Sequence, residues 1–197
     1  MNAAASPLES TARLVRRVLT DGEYVVNHAI VATHGKPTAV RFDLWRTEGD
    51  QILEHWHDEE PWHASTANGH TQLDGPHRID AGADTEQSRR IAVNAVQTIL
   101  VDGDASALGE HLAGEDYVQH NPRFADGVSG LVAALTALAE QGITMTYDGI
   151  RQVVAEGDFV YLRAEGSFAG TPYVFHDLFR IANGKCAEHW DVMVPRG

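Results

Sequence analysis

The sequence predicts an α+β fold, with strands in two separate runs and helices only in the second half. Three observations carry this. The stretch "RLVRRVLTDGEYVVNHAIVATHGKPTAVRFDLWRTEGDQILEHWHD" (13–58) has β-branched and aromatic runs broken by "DG", "HGKP" and "EGD", with no long helix before residue 80. Two later stretches have helical spacing. The chain then closes on three strand candidates.

Taken in order, the first run is strand and turn. Residues 59–85, "EEPWHASTANGHTQLDGPHRIDAGADT", are rich in Gly, Pro, His and Asp without periodicity and read as a linker. This places a boundary near Ala81, with a strand-only unit plus linker over 1–80 and a complete domain over 81–197. In "DTEQSRRIAVNAVQTILVDGD", Ala92, Ala95, Val96, Ile99 and Leu100 share one helical face. Asp84 and Gln87 form a variant capping box, and Gly103 is the stop. A short helix is expected after Asp104. "SGLVAALTALAEQG" makes another helix, with Leu131, Leu135, Leu138 and Ala139 as its apolar stripe and Gly142 as its stop. The strand candidates are "ITMTYDGIRQVVAEG", bent near Asp148-Gly149, then "DFVYLRAEGSF", then the hairpin "YVFHDLFRI-ANG-KCAEHWDVMV".

Composition narrows the function classes. A formal net charge of −13 argues against nucleic acid and anionic membrane as partners, because both need basic patches. The one cysteine, Cys186, allows no intrachain disulfide and points to a reducing compartment. "MNAAASPLESTARLVRR" has no apolar run of signal-peptide length, and no stretch reaches the roughly 18 apolar residues of a membrane span. The expectation is a cytoplasmic protein. Arg far outnumbers Lys and Ala is plentiful, which points to a GC-rich bacterial genome. No P-loop, no GxGxxG after a strand and no CxxCH is present, and no cofactor is expected.

The two strand runs are similar to each other. "LTDGEYVV" (19–26) matches "VAEGDFVY" (154–161), "FDLWR" (42–46) matches "HDLFR" (176–180), and "EHWH" (54–57) matches "EHWD" (188–191). The offset is 135 residues at the first match and 134 at the others. The helices have no counterpart in the first half, so this is an internal repeat of strands alone.

"YVQHNPRFADGVSGL", "VVAEGDFV" and "HDLFRIANGKCAEHWDV", with the helix before them, resemble the SnoaL-like proteins of the nuclear-transport-factor-two-like superfamily. The resemblance covers about residues 84–195, with a partial copy over 13–58. It implies a cone: a curved, mostly antiparallel sheet around a pocket, with helices closing the other side. The superfamily hosts cyclases, isomerases, dehydratases, hydrolases and non-catalytic modules, so it constrains fold more than function.

The hairpin places the chemistry. A three-residue loop "ANG" sets Ile181 against Lys185, Asp177 against His189 and Phe175 against Asp191. Phe175, Asp177, Phe179, Ile181, Ala187, His189, Asp191 and Met193 then share one face, and His176, Leu178, Arg180, Glu188, Trp190 and Val192 the other. A two-residue loop would bring His176 to Asp191 instead. The first face combines apolar residues with two carboxylates and an imidazole, the composition of a small-molecule site. Burial and a neighbouring carboxylate both raise a carboxyl pKa, so such an Asp can move protons near neutral pH.

The resemblance implies Asp191 as general acid/base in the position of the cyclases' "HWD" aspartate, with His189 and Asp177 tuning it and no metal. It implies that Tyr117, His120 and Asn121 of "YVQHNP" hold the substrate at the start of the cone, with His120 counted among the catalytic group. Phe175, Phe179 and Met193 line the apolar part. Structural alternatives stand beside these: Asp191 as a strand anchor, His189 as a core histidine, Asp177 as the partner of an Arg, and His120 and Asn121 as turn residues before Pro122. His120, His189 and Asp191 form at most a weak metal signal.

In the first copy, Asp43 and His55 keep the positions of Asp177 and His189, while His57 replaces Asp191 and Arg41 replaces Phe175. With no helices this copy encloses no pocket. Leu44 and Trp56 match Leu178 and Trp190, so residues 1–58 are expected to pack on the second sheet as a built-in half-partner. A competing expectation is a separate site built from His28, His55 and His57 and completed by another chain. The expected activity is α-proton abstraction from a small, largely apolar carbonyl compound, ending in aldol cyclisation or isomerisation. A ligand-binding module without catalysis, or hydrolase or dehydratase chemistry in the same pocket, are the alternatives. A homodimer is left open.

Overall fold

In the computed structural model the described residues are 11–197; the first ten residues of the half-partner expectation lie outside them. Two sheets, antiparallel except for one short strand of the second, face each other, and helices cover the far side of the second. The first sheet is a four-stranded meander of β1 (Thr11–Asp21), β2 (Tyr24–Thr33), β3 (Lys36–Glu48) and β4 (Gln51–Pro61). Its turns fall where the sequence placed them, at Gly22, Gly35 and Gly49, each with φ between 57° and 73°. That region is open to glycine at no steric cost.

The second sheet holds β6 (Met145–Glu156), β7 (Phe159–Phe168), β8 (Thr171–Ala182) and β9 (Lys185–Pro195), again a meander. The short β5 (Val118–Gln119) is added in parallel beside β9, giving the order β5-β9-β8-β7-β6. The two meanders pair alike at corresponding positions. Asp43 faces His57 and Asp177 faces Asp191; Tyr24 faces Arg46 and Phe159 faces Arg180. Register shifts also correspond, between Val15 and Arg17 and between Ile150 and Gln152.

Three helices follow the linker. In α1 (Thr85–Val96) the Asp84 side chain caps the first turn by accepting from the Gln87 amide at 2.9 Å. A single wide turn over Gln97–Val101 and Gly103 at φ 76° end it. After Asp104, α2 (Leu108–His111) is short. α3 (Gly127–Glu140) stops at Gly142 and lies loosely: Leu131, Leu135 and Leu138 are half-buried and Ala139, expected in the stripe, is exposed.

The sheet separates two cores. Toward the helices, Ala92, Ala95, Val96, Leu108 and Leu112 pack on Val160, Leu162, Phe175 and Phe179. Between the sheets, Leu19, Val26, Val40, Phe42 and Leu44 pack on Leu178, Trp190 and Val192. Both meanders thus bury their outer apolar faces against each other, which removes from water two faces that neither could leave exposed. The sheet edges are tied as well. The Asp21 carboxylate accepts from the Ala155 amide of β6 at 3.1 Å, and Glu60 from the Met193 amide of β9 at 3.4 Å. His176 and Asp58 bridge the interface at 2.8 Å.

Residues 62–84 are no loose tether. Asn68 donates to the Asn121 and Phe124 carbonyls, Trp190 Nε1 to the Asp74 carbonyl, and Arg17 to the Leu73 and Pro76 carbonyls. Arg17 also sits 3.9 Å above the Trp190 ring, a cation–π contact sealed from solvent. The stretch straps the two sheets together.

Candidate active site

The β8–β9 hairpin differs from the expected register. Its loop has two residues, Asn183 at φ 51° and Gly184 at φ 76°, and Ala182 faces Lys185. This is the left-handed pair that a tight hairpin favours. The pairing then steps past Ala187: Ile181 faces Cys186 but Arg180 faces Glu188. The extra residue restores the alternation, so the expected faces survive while the partners change. Asp177 lies opposite Asp191, Phe179 opposite His189 and Phe175 opposite Met193; neither the Asp177–His189 nor the Phe175–Asp191 pairing forms.

These residues line a cavity between the sheet and the helices, about 610 Å³ with its mouth included. Its walls are mostly apolar: Ala95, Val96, Ile99 and Leu100 from the first helix and the turn after it, with Phe175, Phe179 and Met193 from the sheet. The polar groups are few: Tyr117, Gln119, Tyr147, Asp177, His189 and Asp191.

Asp177 is committed on the protein side. His189 Nε2 lies 3.0 Å from its Oδ1, and the Tyr147 hydroxyl donates to its Oδ2 at 3.2 Å. The Gln119 Oε1 accepts from the amides of His120 and Asn121 at 3.0 and 3.1 Å, which identifies it as the oxygen. His189 Nδ1, 2.9 Å away, therefore carries the proton and donates to it. Burial works against a charged His189, but the hydrogen bond to Asp177 and the charges of Asp191 and Asp177 outweigh it, and its pKa is raised. The ring is held between Gln119 and Asp177, which favour its charged form, and is stacked on Phe179 at 4.6 Å.

Asp191 is different. Its Oδ2 accepts from Asn121 Nδ2 at 2.7 Å, but its buried Oδ1 has no partner among the described residues. Burial raises its pKa most; His189 and Asn121 pull it down, Asp177 pushes it up, and the net is upward. A carboxylate lacking half its hydrogen bonds in an apolar wall is a stronger base than one in water.

The structure brings Asp191, His189, Asp177, Tyr117, Phe175, Phe179 and Met193 to this cavity, with Asn121 behind the Asp191 carboxylate. It does not bring His120. That ring lies on the outer face, stacked on Trp190 at 4.6 Å. Its Nδ1 donates to the Thr71 carbonyl and its Nε2 lies 2.8 Å from Glu188. His120 follows Gln119, which points inward, so alternation turns it away and rules out a metal set with His189 and Asp191. Gln119 and Tyr147 are members that sequence reasoning missed.

Glu60 was missed as well. It reaches over from β4, is 4% exposed, and accepts from Gln72 Nε2 at 2.9 Å. Burial first, and the Asp191 charge second, lift its pKa to about 7. The first sheet thus places a carboxyl within electrostatic reach of the pocket.

Residues 93–189 match the SnoaL-like domain family, just under half of the chain. The matched segment is therefore a SnoaL-like domain, and Asp191 lies two residues past it. Among solved structures, the chain is similar to TsrD from Streptomyces laurentii at 25% identity, covering 56% of this chain and 90% of that one, with a TM-score of 0.44. A candidate ketosteroid isomerase from Kribbella flavida matches at 16% identity over 58% and 83% of the two chains, TM-score 0.46. A candidate polyketide cyclase from Acidithiobacillus ferrooxidans matches at 13% over 54% and 87%, TM-score 0.42. No curated protein matches the chain. No helix among the described residues is long and apolar enough to cross a membrane.

Proposed function

We propose that the SnoaL-like half is a cofactor-independent enzyme that removes an α-proton from a small, largely apolar carbonyl compound. The observation that carries this is the buried, unpartnered Oδ1 of Asp191, in an apolar cavity and beside a His189–Asp177 pair that is already satisfied. In this reading Asp191 Oδ1 takes the proton, the C–H electrons move into an enolate, and the His189 imidazolium and Tyr117 hydroxyl offset the charge on its oxygen. The enolate carbon then attacks a second carbonyl of the same molecule, and the resulting alkoxide takes the proton back from Asp191 to give an aldol product, or the enolate takes that proton back at another carbon, giving an isomer. Asn121 orients the base, while Tyr147 and Gln119 hold the Asp177–His189 pair. Phe175, Phe179 and Met193 form the apolar bed for the substrate. The first sheet is read as a degenerate copy that covers the second, standing in for half of a dimer partner.

The test needs only the reaction class. Proton exchange in D₂O is followed by NMR with a panel of β-keto esters and cyclic enones, for the wild type and Asp191→Asn. Exchange that depends on the protein and disappears in the variant supports the general-base role. Equal exchange in both removes Asp191 as the base. Binding without exchange in the wild type moves the reading to a ligand-binding module.

A further inference from the structure

The open face of the first sheet carries a second cluster of titratable side chains, which the proposed reaction leaves unused. We propose that Asp43, His55 and His57 form a binding site for one late first-row divalent cation, of the Zn²⁺, Cu²⁺ or Ni²⁺ class. Each offers one ligand atom, and these atoms lie within 4.8 Å of one another. The strands supply the geometry. His55 and His57 are two residues apart on β4 and share a face, with ring centroids 5.1 Å apart; Asp43 is directly opposite His57 on β3. His55 Nε2 and Asp43 Oδ1 are 2.8 Å apart in a hydrogen bond, which has to open to roughly 3.3–3.6 Å for both to sit on one tetrahedral ion with bonds of about 2.0–2.2 Å.

The parts are also held in place. The His55 ring is stacked on Trp45 at 4.9 Å and 6°, and the Asp43 side chain is buried and gripped by Arg41. Both imidazoles face solvent, so an ion has a path in. Two imidazoles and one carboxylate suit Zn²⁺, Cu²⁺ or Ni²⁺ rather than Mg²⁺ or Ca²⁺, which prefer oxygen-only shells.

The competing group is Arg41. Its Nη2 and Nε donate to Asp43 Oδ1 and Oδ2 at 2.7 and 2.8 Å, and Arg13 approaches Oδ2 at 3.4 Å. Binding therefore requires Oδ1 to exchange the Arg41 Nη2 and His55 hydrogen bonds for the ion while Oδ2 keeps Nε. Arg41 has a second acid within reach, Glu59 at 3.4 Å. The cation takes the place of the proton between His55 and Asp43, and that proton leaves to solvent.

The experiment is calorimetric titration of the full chain with Zn²⁺, repeated with Mg²⁺, for the wild type, His55→Ala, His57→Ala and the remote control His34→Ala. One equivalent of Zn²⁺ is expected to bind, with no Mg²⁺ uptake. Losing an outer-sphere partner alone costs about 10–100-fold in affinity, so losing either imidazole should cost at least about tenfold. The His34→Ala protein should bind as the wild type does. Cu²⁺ should also broaden the His55 and His57 ring signals in NMR before those of other histidines. Absence of Zn²⁺ binding, or binding unchanged in His57→Ala, overturns the proposal. His57 is exposed, so its variant keeps the fold.

Discussion

The two sheets share a strand order, a register and the position of an aspartate facing its cross-strand partner, yet their inner faces differ in kind. On the second sheet, helices cover the face, Phe175 and Met193 line it, and Asp191 is left with an unpartnered oxygen and a raised pKa. On the first sheet nothing among the described residues covers the face. Arg41, standing where the second copy has Phe175, forks onto Asp43. Burial would raise the Asp43 pKa, but the Arg41 and His55 hydrogen bonds outweigh it and the net is downward. The same backbone thus presents either a base with an unpartnered oxygen or an ion-paired carboxylate beneath two exposed imidazoles. The strands set where side chains point; the helices and two residue exchanges, Arg41 for Phe175 and His57 for Asp191, set what they can do.

The sharpest way to break the comparison is Asp191→Asn against Asp43→Asn. The first should lose about 10²–10⁴-fold in α-proton exchange, the usual size of a general-base contribution, while the second should lose almost nothing. Comparable losses in both would end the division of labour. Trp190→Ala comes next. Its side chain is fully buried between the sheets beneath Arg17, and denaturant unfolding should show a loss of about 3–5 kcal/mol. A loss below 1 kcal/mol would mean that the sheets do not depend on each other.

Glu60→Gln probes the reach of the first sheet into the pocket. The folded pKa of Glu60 is about 7, above its ordinary value of 4.5. Its contribution to stability is therefore present below pH 4.5 and lost as pH rises through 7. The variant should gain stability over the wild type at pH 8, on the order of 2 kcal/mol, and little at pH 4, measured by urea unfolding at both pH values. Because the Asp191 charge contributes to the rise in the Glu60 pKa, the pH at which Glu60 loses its contribution should move down in Asp191→Asn. An unmoved transition would leave burial as its whole cause. The smallest expected effect is that of Arg41→Phe with His57→Asp, which rebuilds the second copy's residues on the uncovered sheet. It should bring no exchange activity when Asp191→Asn is also present, and any activity would show that the helices are dispensable.

Much of this was readable in the sequence. The turns at Gly22, Gly35 and Gly49, the Asp84 cap, and the division of β8 and β9 into an apolar pocket face and a face buried on the first sheet all follow from local chemistry and alternation. The register was not, because the step past Ala187 is a tertiary choice, although Asn183-Gly184 is itself the signature of a two-residue turn. The His120 placement failed for a related reason: β5 is two residues long, too short for a pattern, and its phase comes only from pairing with β9. Tyr147 lies before two register shifts in β6 that reset its alternation. Glu60 and residues 62–84 read as linker because their roles exist only across the two sheets. His28, expected with His55 and His57, is instead buried between the sheets, stacked on Phe42 at 4.4 Å.

The most direct single measurement is a ¹³C NMR titration of the aspartate carboxyl carbons, with Asp191 and Asp43 assigned by their Asn variants. Asp191 should titrate above the ordinary aspartate range and Asp43 below it, in one sample. Two ordinary titrations, or Asp43 titrating above Asp191, would contradict the claim that the helices and the Arg41 fork give one strand pattern two opposite chemistries.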